Sequence, residues 1–117
     1  MRIVRAESEP RRENPHGVEV KSLYDTENAQ VVHITLRPGE ALKKHVTPVD
    51  VFFYVLEGEG KVEIGDEVKD VRKDDLIDSP AKTAHRLMND SGGDFRFLVV
   101  KVPRPSEKSK MAGTKAE

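Results

Sequence analysis

The sequence predicts an all-β domain, built as a sandwich or barrel of short strands. Val, Ile and Thr occur in short runs, and Gly, Pro, Asp and Asn interrupt these runs about every eight to twelve residues, as in such folds. No segment keeps a helical apolar period over several turns. At 117 residues, the chain is large enough for one hydrophobic core and too small for two.

Eight segments carry the strand pattern, and the turns between them contain residues that tolerate tight or left-handed backbone. Such turns are 25–28 (DTEN), 37–40 (RPGE), 64–67 (IGDE) and 89–94 (NDSGGD). The predicted strands are 17–24, 29–36, 50–57, 60–64, 67–71, 75–79, 85–89 and 95–102.

Composition excludes several classes of function. The formal net charge is -1, so the chain lacks the general basic footprint of a protein that binds nucleic acid or anionic membranes. It has no cysteine, which leaves histidine and carboxylate side chains as the strong metal ligands. Residues 1–15 lack the apolar core of a signal peptide, and no apolar run is long enough to span a bilayer. We therefore expect a soluble, unprocessed cytoplasmic protein.

The last part of the chain differs in composition from the rest. Residues 104–117 (RPSEKSKMAGTKAE) contain almost no apolar side chains. Such a segment cannot offset the entropy cost of ordering itself. The sequence therefore predicts a single domain over residues 1–103 and a flexible polar tail over residues 104–117.

Two stretches resemble the two sequence motifs of the cupin family. Residues 38–60 (PGEALKKHVTPVDVFFYVLEGEG) are similar to the first motif, which is Gly, five residues, His-x-His, three or four residues, Glu, six residues and Gly. Residues 74–89 (DDLIDSPAKTAHRLMN) resemble the second, which is Gly, five residues, Pro-x-Gly, two residues, His, three residues and Asn. The residues that match are Gly39, His45, Gly58, Pro80, His85 and Asn89.

This resemblance implies a small single-domain cupin, which is an antiparallel jelly-roll barrel or double-stranded β-helix with a pocket at one end. In the usual member, three histidines and a carboxylate hold a divalent ion such as iron, manganese, nickel, copper or zinc. This chain departs from the pattern at two of the four positions. His45 and His85 match, but Thr47 and Val51 stand where the second histidine and the glutamate are expected.

Two carboxylates are candidates to complete a metal shell. Asp50 lies at an odd offset from His45, so it faces the pocket only if the chain bulges just after Pro48. Asp78 lies in a segment that is otherwise apolar, and a buried carboxylate there needs a partner or a metal. The alternative for Asp78 is an aspartate that forms a turn.

Asp74 and Lys82 stand at the two glycine positions of the second motif. They can be accommodated there if the backbone avoids positive φ. The remaining histidines receive no role at the site. Alternation places His33 on the outer face of its strand, where we expect a surface or interface residue, and His16 lies in a loop.

The same alternation predicts the rest of the pocket. A few polar groups at one end of an apolar cup are typical of a small-molecule site. Two of the candidates have structural alternatives, since Asn89 also suits a turn and Phe53 also suits the core. The predicted lining residues are Thr47, Val51, Phe53, Val55, Leu87, Asn89, Leu98, Val100 and Val102.

Three functions stay open. The first is an enzyme, for which the resemblance implies dioxygenation, isomerisation or decarboxylation, with His45 and His85 as metal ligands or as acid and base. The second is a metal-free module that binds or senses a small molecule. The third is a structural role as a homodimer, paired through the outer face that carries Phe52, Tyr54 and Leu56. The family spans too many chemistries for the fold to identify a reaction.

Overall fold

Two five-stranded sheets, in which every strand pairs antiparallel with its neighbours, make up the fold in a computed structural model of the protein. The structure describes residues 1–106 and 110–111. A short 3-10 helix (Ala6–Ser8) precedes the strands. The strands are β1 (Glu19–Asp25), β2 (Gln30–Leu36), β3 (His45–Val46), β4 (Val51–Glu57), β5 (Glu59–Ile64), β6 (Glu67–Arg72), β7 (Leu76–Ser79), β8 (Ala84–Met88), β9 (Phe95–Lys101) and β10 (Lys110–Met111).

The strand order is β1-β2-β9-β4-β7 in sheet I and β10-β3-β8-β5-β6 in sheet II. Strands that are adjacent in space come from distant parts of the chain, as in a jelly roll. The predicted fold class is confirmed, and all eight predicted strands are present. The sequence missed β3 and β10 because two-residue strands are too short to show a period.

The hydrophobic core lies between the two sheets. Its largest side chains are 0 or 1% exposed, and burying each contributes about 1.5–3 kcal/mol relative to leaving it in water. The sequence could specify this core because inward residues alternate with outward ones along β4 and β8. These largest core residues are Leu36, Phe53, Leu87, Phe95 and Phe97.

The motif glycine Gly58 is required by close packing as well as by its backbone conformation. Its φ is 81°, and a Cβ atom there would overlap the carbonyl oxygen of Asp94. No L side chain fits such a space. This contact joins the end of β4 to the start of β9.

Asp74 and Lys82 occupy the two glycine positions of the second motif, where the sequence analysis required a backbone without positive φ. That requirement is not met, because φ is 72° at Asp74 and 66° at Lys82. Hydrogen bonds hold these turns in the geometry that glycine would adopt. The Asp74 N–H donates to the carbonyl of Val55 at 2.9 Å, and the Lys82 N–H donates to the carbonyl of Thr47 at 2.9 Å. A left-handed conformation at a non-glycine residue costs roughly 1–3 kcal/mol. The chain thus keeps positive φ at the two glycine positions of the second motif and carries the strain.

His33 lies on the outer face of β2, as alternation predicts, but it is not a surface residue. It is 3% exposed, because its cross-strand neighbours Lys21 and Leu98 flank it and the Nε of Arg96 donates to its Nε2 at 3.2 Å. Within residues 1–106, its Nδ1 is a buried polar atom without a hydrogen-bond partner. Burial, followed by the positive charges of Arg96 and Lys21, lowers the pKa of His33.

Phe52, Tyr54 and Leu56 lie on the outer face of β4 and are half-buried. On β9, Val100 is opposite Phe52 and Leu98 is opposite Tyr54. Homodimerisation through this face stays a prediction, which a measurement of molar mass in solution would test.

Part of the predicted tail has a defined position. The Nε of Arg104 donates to Oδ1 of Asp25 at 2.5 Å, and β10 pairs with β3. Residues 107–109 and 112–117 lie outside the described part of the chain, so the flexibility of the tail stays a prediction. Across the described ranges, no helix has the length and apolar character needed to cross a bilayer. The cytoplasmic location also stays a prediction.

Candidate functional site

The candidate site lies where one cross-strand row from each sheet meets inside the barrel. In sheet II, His45 on β3 pairs with His85 on β8. The Oγ of Ser79 on β7 lies 2.7 Å from the Nδ1 of His85 and joins the two sheets at this point. The two histidines that the sequence predicted to converge are therefore adjacent. The row in sheet I contains Gln30, Lys101, Val51 and Ser79, on β2, β9, β4 and β7.

The His45 and His85 rings are in direct contact. Their Nε2 atoms are 3.3 Å apart, and the ring planes are nearly perpendicular, at 80°. Both side chains are buried, at 8% and 1% exposure. The ring of Phe53 packs edge-on against His85 at a centroid distance of 5.2 Å. The contact with Phe53 thus packs the histidine pair against the core of the barrel.

Hydrogen bonds around this pair run in one direction. The Nδ1 of His45 lies 2.9 Å from the carbonyl oxygen of Lys43, which can only accept, so Nδ1 carries the proton. In the neutral ring, the Nε2 of His45 then accepts from the Nε2–H of His85. The Nδ1 of His85 in turn accepts from the hydroxyl of Ser79. The Oγ1 of Thr47, at 3.4 Å, is a weaker second acceptor for the Nε2–H of His85.

Burial keeps these rings neutral. Desolvation is the largest cause that lowers the pKa of His85, to about 3, followed by the charges of His45 and Lys101. Desolvation also lowers the pKa of His45, although its hydrogen bond to the Lys43 carbonyl acts in the opposite direction. At neutral pH the pair therefore carries no positive charge.

His16 is a third histidine of the site, and sequence reasoning missed it. Its ring lies 5.1 Å from that of His45, and its Nδ1 accepts a hydrogen bond from the backbone N–H of Lys43 at 2.8 Å. Desolvation, followed by the charges of His45, Lys43 and Lys101, lowers its pKa to about 4. The local signal was Asn14, whose Oδ1 accepts from the His16 N–H at 3.0 Å and shapes the loop. The presence of Asn14 predicts a turn, but it does not show that the loop packs against His45.

The backbone N–H and C=O of one residue, Lys43, fix the tautomers of two histidines. The N–H of Lys43 donates to His16, and the C=O of Lys43 accepts from His45. The neutral His16 ring must therefore carry its proton on Nε2, whereas His45 carries its proton on Nδ1. The Nε2–H of His16 has no hydrogen-bond acceptor within residues 1–106, so this donor is available to a ligand.

A cavity of about 470 Å³ opens beside the histidines. His16, His45, Gln30 and Lys101 contribute its polar lining, and Arg104 lies in the segment at its edge. An apolar wall, in which Gln30 and Lys101 also lie, faces the imidazoles, so the cavity has the character expected for a small-molecule site. The wall is formed by Val20, Val32, Ile34, Leu42, Phe53 and Val99.

The predicted face of the last long strand is wrong. The sequence placed Leu98, Val100 and Val102 in the pocket, but Val99 and Lys101 line it instead. The segment 95–102 is apolar on both faces, so alternation could not distinguish inside from outside. Lys101, near the end of this segment, faces inward, whereas lysine side chains usually lie at the surface.

Four other predicted pocket residues lie beside or below the cavity. Thr47 and Val51 are 1% and 2% exposed and lie next to the histidine pair, at the positions where the family pattern has ligands. Val55 and Leu87 are both 0% exposed core residues and do not line the cavity. Of the predicted ligand-binding residues, only Phe53 lines it.

Asn89 is a turn residue and not a ligand-binding residue. Its amide group donates to the carbonyls of Leu36 and Gly93, both at 2.8 Å. Its Oδ1 accepts from the backbone N–H of Ser91 at 2.9 Å. Because these bonds occupy a side chain that is 2% exposed, Asn89 holds the turn before β9, and it does not line the cavity.

Neither candidate carboxylate faces the site. The Oδ1 of Asp50 accepts from the backbone N–H of Ala81 at 2.8 Å on the surface, because the chain before β4 does not bulge inward. Asp78 is exposed on β7, opposite Phe52 on the outer face. In the part of the chain that the structure describes, no three histidine or carboxylate side chains are placed to hold a metal ion. Two imidazoles do not fit a resident divalent ion, which commonly needs three or four protein ligands.

A jelly roll with its two motif histidines in contact beside a cavity defines the class of this protein, and comparison with known sequences agrees. Residues 32–101 match the family model described as a cupin domain. The chain therefore belongs to the cupin family. It is similar to MJ0764, an uncharacterised protein of Methanocaldococcus jannaschii, with 28% identity over 89 residues that cover 75% of this chain and 77% of the relative.

Solved structures share the architecture. The protein TT1209 from Thermus thermophilus is 31% identical, with a TM-score of 0.77 over 90% of this chain and 100% of that chain. The polyketide cyclase RemF from Streptomyces resistomycificus is 19% identical, with a TM-score of 0.84 over 98% of this chain and 87% of that chain. At that identity, the likeness to RemF shows the fold alone.

Proposed function

We propose that the protein binds a small organic molecule in the cavity beside His16 and His45. The observation that carries this proposal is the cavity of about 470 Å³, which has an apolar wall on one side and imidazoles in fixed tautomers on the other. Apolar cavities with a few oriented polar groups are the usual form of small-molecule sites. The apolar wall supplies affinity, and the imidazoles orient the polar end of the ligand.

The pKa values favour binding over acid–base turnover. An efficient general acid or base has a pKa near the working pH. The pKa values of about 3 for His85 and about 4 for His16 lie far below neutrality. These rings suit neutral hydrogen bonding better than proton transfer, which supports a binding or sensing role.

Ligand-detected and protein-detected NMR with a library of small organic fragments tests the proposal. We expect bound fragments to shift the amide resonances of β2 and β9, which form the apolar wall. Val32→Trp should narrow the cavity and weaken binding by at least about tenfold, which corresponds to about 1.4 kcal/mol. Val68→Trp is the matched control, because Val68 is 52% exposed on β6, outside the cavity lining. Fragments that bind both variants equally well would contradict the proposal.

A second experiment separates this proposal from a metal-dependent enzyme. If His45 and His85 held iron, manganese, nickel, copper or zinc, the untagged protein would contain close to one equivalent, and His45→Ala and His85→Ala would lose it. We expect the same trace content in all three proteins, because two imidazoles offer too few donors. Elemental analysis after dialysis against each ion measures this directly.

A further inference from the structure

The charge beside the histidine pair is reversed relative to the family pattern. At the position where a cupin motif has a glutamate, this chain has Val51. The cross-strand neighbour of Val51 on β9 is Lys101, which faces the cavity. A lysine therefore lies next to the point where a carboxylate ligand would be expected.

The field of Lys101 extends over the whole histidine cluster. Its positive charge is among the causes that lower the pKa values of His16, His45 and His85. Burial in turn lowers the pKa of Lys101 itself. An ammonium group that has lost part of its hydration interacts more strongly with other charges than one at the surface.

The other polar groups of the cavity favour the same sign of ligand. Arg104 lines it, and the Nε2–H of His16 adds a neutral donor. Within the described residues, no aspartate or glutamate lines the cavity. The carboxylate of Asp25, which accepts a hydrogen bond from the Nε of Arg104, is not part of the lining. Among the described lining residues, the site thus offers cations and donors and no carboxylate.

We propose that the cavity selects an organic anion, a small monocarboxylate whose carboxylate lies near Lys101 and His16 and whose apolar body packs against Ile34 and Phe53. This inference rests on the proposed function. The position of the ammonium group at the cavity wall is sufficient for the selectivity, because charge attraction in a partly dehydrated cavity extends over several ångströms. The same charge repels a divalent cation, in keeping with the replacement of two of the four family ligands by Thr47 and Val51.

A panel of matched pairs tests the inference. Each pair consists of a monocarboxylate and its primary amide on the same apolar body, for example naphthalene-2-carboxylate with naphthalene-2-carboxamide, and hexanoate with hexanamide. Titration calorimetry and NMR give the dissociation constants at neutral pH. We expect the carboxylates to bind about tenfold more tightly than their amides, as one partly buried charge pair can provide.

Two charge-matched variants locate the effect. Lys101→Gln should abolish the preference for the carboxylate and leave amide binding nearly unchanged. Lys69→Gln removes the same charge from the exposed surface of β6 and should behave as the wild type. Lys101→Arg, which keeps the charge, should retain the preference even if Lys101→Gln is poorly folded.

The outcomes separate the two proposals. Equal binding of carboxylates and amides at β2 and β9 would overturn the anion selectivity and leave the binding function standing. A preference that persists in Lys101→Gln would also overturn it. If no compound of either kind binds in the cavity, the proposed function itself fails, and the selectivity fails with it.

Discussion

The two walls of the cavity differ in charge and in hydrogen bonding. On the sheet II side, His45 and His85 are neutral and joined by a hydrogen-bond chain that ends on Ser79 and the Lys43 carbonyl. On the sheet I side, Lys101 brings a positive charge to a wall that is apolar except for Lys101 and Gln30. The first wall is fixed by internal hydrogen bonds, and in our proposal the second determines which ligands the cavity attracts. The comparison indicates that residues retaining a family motif can be structural, and it assigns the proposed ligand selectivity to a residue outside the motif.

The largest expected effect is a loss of stability in acid, caused by the histidine wall. The unfolded histidines titrate near 6.5, whereas the folded pKa values of His16 and His85 are about 4 and about 3. Below pH 6.5 the unfolded chain therefore binds more protons than the folded protein, so stability is complete above 6.5 and falls as the pH falls. Each histidine that stays neutral in the folded state contributes a slope of up to about 1.4 kcal/mol per pH unit.

Urea denaturation at a series of pH values measures this slope. Between pH 6.5 and 4.5, the change in the free energy of unfolding comes mainly from the histidines. A carboxyl group with a lowered pKa, such as that of Glu63, changes the free energy of unfolding mainly below its ordinary value of 4.5. In His16→Gln the slope should decrease. A free energy of unfolding that is flat across this window would contradict the neutral, buried state of the rings.

His85→Ala should destabilise the protein by about 3 kcal/mol at neutral pH. The substitution opens a hole beside Phe53 and leaves the Ser79 hydroxyl and the Nε2 of His45 without their partner. The free energy of unfolding from urea titration is the measurement. A change below about 1 kcal/mol would show that the hydrogen-bond chain does not hold the two sheets together.

Lys101→Gln should change stability by less than about 1 kcal/mol, in contrast to His85→Ala. Losing the contacts of the ammonium group and relieving its burial act in opposite directions. The same urea titration compares the two variants. If Lys101→Gln were as destabilising as His85→Ala, both walls would be structural and the contrast between them would disappear.

The smallest expected effect concerns the second motif, which connects the two walls. Lys82→Gly should stabilise the protein by roughly 0.5–1 kcal/mol, because glycine removes the left-handed strain at φ 66° and recovers more than its cost in unfolded-state entropy. Lys73→Gly is the control, because Lys73 does not have a positive φ, and it should leave stability unchanged or lower it. Thermal denaturation of each variant measures the shift, and an equal gain in both would argue against strain at Lys82.

Sequence reasoning recovered the residues that alternation and spacing define. It located the strands, the motif turns and the meeting of His45 with His85, because each of these follows from local pattern or from the motif spacing. It failed where a strand is apolar on both faces, as with Val100, and where a side chain's direction depends on an irregular connection, as with Asp50. It also failed for His16, since a loop's sequence does not state what the loop packs against.

The sequence by itself determined the barrel and the replacement of two family ligands by Thr47 and Val51, because residue identity at a fixed spacing needs no coordinates. Only the tertiary structure decided that His16 joins the site and that Lys101 faces inward beside Val51. The physical reason is that the sign of charge in a cavity depends on which groups the closed sheets bring within a few ångströms of one another, and these groups are distant along the chain.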